Sequence, residues 1–193
     1  CPKCSFAPTD PDLRTEQSGI PVPYRGMIFE RFRELPGKQE AYLGALNRDP
    51  KESIVLHGTY GRGKTHLGIA CLMQAIERGQ RVRYVPVIDM LDDIKARFGD
   101  DSTESAQSYF EALRGEPLLL LDDLGAVNYT PWAVERMSAL IDYRMRESLP
   151  TIITTDQRGE GAIEGDIHGR VASRLSTYTW LPVGGEDMRP NSG

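Results

Sequence analysis

A chain of 193 residues is long enough to bury one substantial core and short for two. Its 23 basic and 28 acidic residues leave a net charge of −5, which excludes a surface basic throughout but leaves room for a local basic ring. With 39% hydrophobic and 26% charged residues, and no apolar run near the roughly 18–20 residues of a membrane span, the composition is that of a soluble globular domain.

No signal peptide is visible, and an opening Cys1 in place of Met implies a chain that continues upstream or has been cut. Residues 1–37 are rich in Pro and Gly, without a sustained period, and read as an irregular N-terminal arm. A helix is predicted over 38–48, ending before Asp49-Pro50. The apolar run 53–57, closed by Gly58, predicts a strand entering a loop. Over 64–78, Leu67, Ala70, Cys71 and Ala75 fall at helical spacing, and Gly79 stops the helix. Residues 81–87 are β-rich.

Two helices follow, 89–98 and 103–114, parted by Gly99-Asp100-Asp101-Ser102. The four leucines at 118–121 are too short for an independent helix and predict a buried parallel strand. Ala133, Met137, Leu140, Ile141 and Met145 mark one helix face, with Pro131 near its first turn. The β-branched run 151–155 predicts a strand, 166–176 a helix and 178–183 a last strand. Strands alternating with helices imply a three-layer α/β fold with a five-stranded parallel sheet. The expected division is an arm over 1–37, one α/β domain over 38–184 and a tail over 185–193.

Gly58-Thr59-Tyr60-Gly61-Arg62-Gly63-Lys64-Thr65 matches the phosphate-binding pattern G-x-x-x-x-G-K-[ST]. Glycines let backbone N–H groups close around phosphate oxygens of ATP. Lys64 brings a compact positive charge to the β- and γ-phosphates, and Thr65 offers a hydroxyl to Mg²⁺. The helix that starts there, with His66 in its first turn, adds its dipole. The pattern sits between a predicted strand and a predicted helix, as the chemistry requires.

Asp122 and Asp123 follow the leucine strand, at the carboxyl edge where open α/β sheets bind ligands. Asp122 is expected to hold Mg²⁺ through a water, and Asp123 to orient the attacking water. A strand-ending turn has the same residue types. At the end of 151–155, one of Thr154, Thr155 and Asp156 can bond the γ-phosphate or that water; the alternative is an ordinary polar turn. Arg170 and Arg174 stand four apart on one helix face, either as phosphate-directed forks reaching a neighbouring subunit or as a solvated ion-pair face.

Cys1, Cys4 and Cys71 are too few and too odd for a disulfide framework, which points to a reducing, cytoplasmic setting. Cys1 and Cys4 have metal-knuckle spacing but supply only half of a tetrahedral Zn²⁺ site. His57, His66 and His168 are scattered; Cys71 reads as packing. The helices at 89–114 are acidic, a poor surface for direct phosphate contact.

Taken with Leu118-Leu-Leu-Leu-Asp-Asp-Leu-Gly125, Thr154-Thr155-Asp156 and Arg170-Val-Ala-Ser-Arg174-Leu, the phosphate loop resembles that of AAA+ ATPases of the DnaC/IstB group. Replicative helicase loaders of the DnaC and DnaI type are the most similar. Gly19-Ile-Pro-Val-Pro-Tyr-Arg and Gly185-Glu-Asp-Met-Arg189 agree with this, so the likeness runs from about residue 19 onward.

The resemblance implies ATP hydrolysis while a hexameric DnaB-type helicase is placed on single-stranded DNA. It also implies a homo-oligomeric spiral or ring with ATP at each subunit boundary. Arg174 then corresponds to the arginine finger and Arg170 to a second one. The helices at 89–114 correspond to an insertion facing the DNA channel, and Cys1 and Cys4 to the trailing half of a zinc site in a helicase-contacting module. Asp156 stands where many relatives have Asn, and Asp123 where Glu is common. The ten residues after Val183 leave no room for a helical lid, so a reduced or absent lid is expected. The resemblance leaves open an IstB-like transposition ATPase acting on duplex DNA, and a nucleotide-gated adaptor with little hydrolysis.

Overall fold

Four consecutive leucines can all be buried only if both faces of their strand are covered, and the sheet meets that demand. In a computed structural model that describes residues 10–33, 36–98, 103–126, 130–156 and 169–188, five strands pair in parallel. They are β1 (Ile54–His57), β2 (Val82–Pro86), β3 (Leu118–Asp122), β4 (Thr151–Thr155) and β5 (Thr179–Pro182), in the order β2-β3-β4-β1-β5. Side chains alternate across a strand, and the leucines divide accordingly. Leu118 and Leu120 enter one core, with Ile54, Leu56 and Ile152. Leu119 and Leu121 enter the other, with Val55, Val85 and Ile153.

The first core is closed by α2 (Gln39–Leu46) and α3 (Lys64–Glu77), the second by α4 (Val87–Phe98), α5 (Thr103–Arg114), α6 (Pro131–Arg146) and α7 (Gly169–Leu175). The register pairs Pro86 with Asp122 and His57 with Thr155, so β1, β3 and β4 end at one edge and deliver Gly58, Asp123 and Asp156 there. Among the described residues, no helix is long and apolar enough to cross a membrane.

The irregular arm expected over 1–37 needs correction. Its described part carries a helix, α1 (Pro11–Gln17), and single 3-10 turns at Val22–Tyr24 and Phe29–Arg31. Asp10 caps α1, its carboxylate accepting from the Asp12 N–H at 2.9 Å, with Pro11 at the first helical position. Seven residues are too few to display a helical period, so only the capping chemistry could have announced this helix. Ile20, Phe29 and Phe32 are buried in the first core.

At the opposite sheet edge, Arg144 of α6 is wholly buried. It donates to Thr151 Oγ1 and to the carbonyls of Leu113, Arg114, Glu116 and Pro150, at 2.6–3.3 Å. Burial lowers its pKa to about 10, which leaves it charged at neutral pH. Its removal strips four carbonyls and a hydroxyl of a donor. Arg144→Ala is therefore expected to lower the unfolding free energy by about 3–5 kcal/mol, read from urea denaturation.

Candidate nucleotide site

β1 runs into a loop that only glycine permits at two turns. Gly61 (φ 71°) and Gly63 (φ 97°) are left-handed, and a Cβ on Gly63 would sit 2.6 Å from Met188 Sδ and 2.8 Å from the Phe32 ring. Gly63 also precedes α3 and brings no side chain to cap it, so the first-turn N–H groups stay directed at the loop's hollow. Lys64 is buried against that loop, its Nζ donating to the Thr59 carbonyl at 3.0 Å and lying 5.7 Å from the Tyr60 ring centroid. Arg62 Nε donates to Thr59 Oγ1 at 3.0 Å.

Thr65 reaches across the sheet edge and donates to Asp122 Oδ1 at 3.0 Å. Asp122, only 7% exposed, also accepts from Thr154 Oγ1 at 2.6 Å and from the Tyr84 hydroxyl at 3.0 Å. Burial first, then the Asp122 charge, push the Tyr84 phenol far upward, so it remains a donor. The Thr154 hydroxyl in turn accepts the Asp123 N–H at 2.8 Å, so one threonine ties both acids in place. Asp123, just past the strand, has a left-handed backbone (φ 59°), uncommon for a residue other than glycine. Burial, then the neighbouring charges of Asp122 and Asp156, raise the Asp123 pKa, and Lys64 opposes them.

Asp156 follows β4 and lies over Gly125, where a Cβ would fall 2.0 Å from its Oδ1. That buried Oδ1 has no hydrogen-bond partner among the described residues. A bond to the Asp156 carboxylate raises the Tyr60 phenol, which links the phosphate loop to the end of β4.

From the other side, the segment after β5 folds onto the loop. Met188 N–H donates to the Gly61 carbonyl at 2.7 Å, the Asp187 carboxylate presses against Gly61, and Lys38 Nζ holds the Glu186 carbonyl at 2.8 Å. A cavity of about 390 Å³ opens between residues 61–65 and the side chains of Met27, His66 and Met188. His66 is half-buried, its Nε2 3.0 Å from the Ile28 carbonyl, and its ring forms a wall of this cavity; burial lowers its pKa.

The remaining sequence candidates stand apart. Arg174 on α7 is gripped by Asp142 of α6, with Nη2–Oδ2 at 2.8 Å and Nε also donating. Arg170 belongs to the same helix, but its side chain lies outside the described residues. So do Cys1 and Cys4, and among the described residues no group of three or more His, Cys, Asp or Glu could hold a metal. Cys71 is buried with its thiol pushed up to about 11, as a packing residue should be. Sequence reasoning missed Tyr84, which no motif marks, and gave Asp187 and Met188 no role beyond their place in the Gly185–Arg189 stretch.

Hard oxygen donors at Thr65 and Asp122 suit Mg²⁺, and the glycine hollow beside Lys64 suits a triphosphate. A parallel sheet of this order, with a strand–glycine loop–helix cradle and an acid two strands away, defines a P-loop nucleoside triphosphatase of the AAA+ kind. The family model described as IstB-like ATP binding protein matches residues 27–160, and the chain belongs to that family.

It is 32% identical over 147 residues to an insertion-sequence ATP-binding protein of Mycobacterium tuberculosis, covering 75% of this chain and 57% of that protein. It is 26% identical over 151 residues to the replicative helicase loader DnaC of Escherichia coli, covering 75% of this chain and 61% of that protein. The crystal structure of the DnaC helicase loader superposes with a TM-score of 0.70 at 25% identity, covering 85% of this chain and all of that one. The chain thus spans less than two thirds of the length of these curated relatives.

Proposed function

We propose that this chain is the motor of a helicase loader: it hydrolyses ATP and places a hexameric DnaB-type helicase on single-stranded DNA in the cytoplasm. The observation that carries the ATPase reading is the 3.0 Å contact of Thr65 with Asp122 beside the glycine cradle, which gathers metal donors and phosphate donors at one edge. Lys64 and the N–H groups of residues 58–66 hold the phosphates. Thr65 and Asp122 hold Mg²⁺, which when bound neutralises charge on the β- and γ-oxygens. Asp123 orients the attacking water, and Asp156, with an oxygen to spare, accepts a hydrogen bond from that water. Arg174, with Arg170 behind it, serves a neighbouring subunit in a spiral or ring.

The loader reading is supported by the complete coverage of the DnaC crystal structure. A second reading, a transposition ATPase on duplex DNA, draws on the higher identities of 32% and 30% to insertion-sequence proteins. Affinity for single-stranded against duplex DNA, measured with ATP present, separates them. A loader prefers the single strand and co-elutes with a DnaB-type hexamer. Preference for duplex without helicase binding overturns the loader reading. We extend the proposal to Zn²⁺ at Cys1 and Cys4, with further ligands supplied by other residues.

A further inference from the structure

Tyr84 stands mid-strand in β2, outside every motif of the chain, yet its side chain ends on the carboxylate of Asp122. The three hydroxyls on that carboxylate are not equivalent. Thr65 and Thr154 both use Oδ1, while among the described residues Tyr84 alone holds Oδ2. The last torsion of an aspartate is broad, so a carboxylate held through one oxygen still swivels. Held through both, it presents a fixed edge.

Tyr84 is well placed to do the holding. It is 7% exposed, its N–H donates to the Ser18 carbonyl at 2.8 Å, and its ring meets Tyr24 edge-on at 6.2 Å. Phenylalanine would fill this core equally well without a hydroxyl to desolvate, so the hydroxyl's contribution lies in its bond to Asp122.

We propose that Tyr84 is a positioning residue for the metal carboxylate: its phenol locks Oδ2 of Asp122 so that Oδ1 stays turned toward Thr65 and the Mg²⁺ that both would hold. The inference rests on the reading of Thr65 and Asp122 as the Mg²⁺ pair. Ser18 and Tyr24 belong to the arm, so the arm would support the metal site through one side chain.

The test titrates Mg²⁺ against binding of a fluorescent, non-hydrolysable ATP analogue to the full chain, with a parallel titration in EDTA. Removing one oxygen in Tyr84→Phe should raise the Mg²⁺ concentration for half-maximal binding about tenfold. Affinity in EDTA should stay within about twofold of the parent, because the phosphate cradle is untouched. Tyr84→His, whose ring N–H can still donate, should fall between the two, and it serves as the assay if the Phe variant does not fold.

An unchanged Mg²⁺ requirement in the folded variants overturns the inference. So does an equal loss with and without Mg²⁺, which marks a purely structural role. A parent protein whose analogue binding ignores Mg²⁺, or matches that of Lys64→Ala, instead overturns the underlying reading of the site.

Discussion

Lys64→Ala should lose ATP affinity by about two to three orders of magnitude and bring phosphate release to background. The ammonium lies buried inside the loop, 3.0 Å from the Thr59 carbonyl, in a setting where a fixed charge acts far more strongly than in water. Deleting one such preorganised donor from a developing anion costs about 2.7–4 kcal/mol, which sets the expected range. Arg62 is a poor substitute because its guanidinium already donates to Thr59 Oγ1. The fold should survive, since Ala is a better helix former than Lys at the start of α3.

Two measurements check this. Calorimetry should show analogue uptake by the parent and none by the variant. Excess ATP should raise the melting temperature of the parent alone, because only a ligand that binds the folded state stabilises it. Equal uptake by both proteins would end the nucleotide interpretation.

What could be read from the residues was what lies contiguous in the chain. The cradle over 58–65 carries its chemistry in eight neighbouring positions, and the leucine run announces both its strand and the acids that follow. Alternation along that strand predicts different roles for Asp122 and Asp123, and Asp123 stands just past the strand with a left-handed backbone. The short helix α1 was illegible for the opposite reason: its stability comes from Asp10, Pro11 and burial of Thr15, with no apolar stripe to betray it.

Contacts between distant positions left no trace at all. Tyr84 meets Asp122 across 38 positions, and Met188 reaches Gly61 from the far end of the described chain. Neither residue type announces a partner, because a tyrosine in a strand and a methionine in a tail both read as packing. Only the parallel register, which sets Pro86 beside Asp122, brings β2 to the metal side of the site.

Arg174→Ala should cut turnover by about three orders of magnitude while ATP affinity moves only a few-fold. Its fork is held by two donors to Asp142 of α6, so the guanidinium sits pre-oriented and about 29% exposed. A planar fork suits the charge spread over a transferring phosphoryl group, so Arg174→Lys should recover little.

Action across a subunit boundary predicts a result that no role within one subunit can imitate. Arg174→Ala and Lys64→Ala proteins, each inactive alone, should regain turnover when mixed. In the mixture an intact cradle on the first meets an intact arginine on the second. Recovery should grow with protein concentration, since it requires assembly. If the mixture stays at background while both variants still assemble, Arg174 acts within its own fold, and its bond to Asp142 is then a strut between α6 and α7.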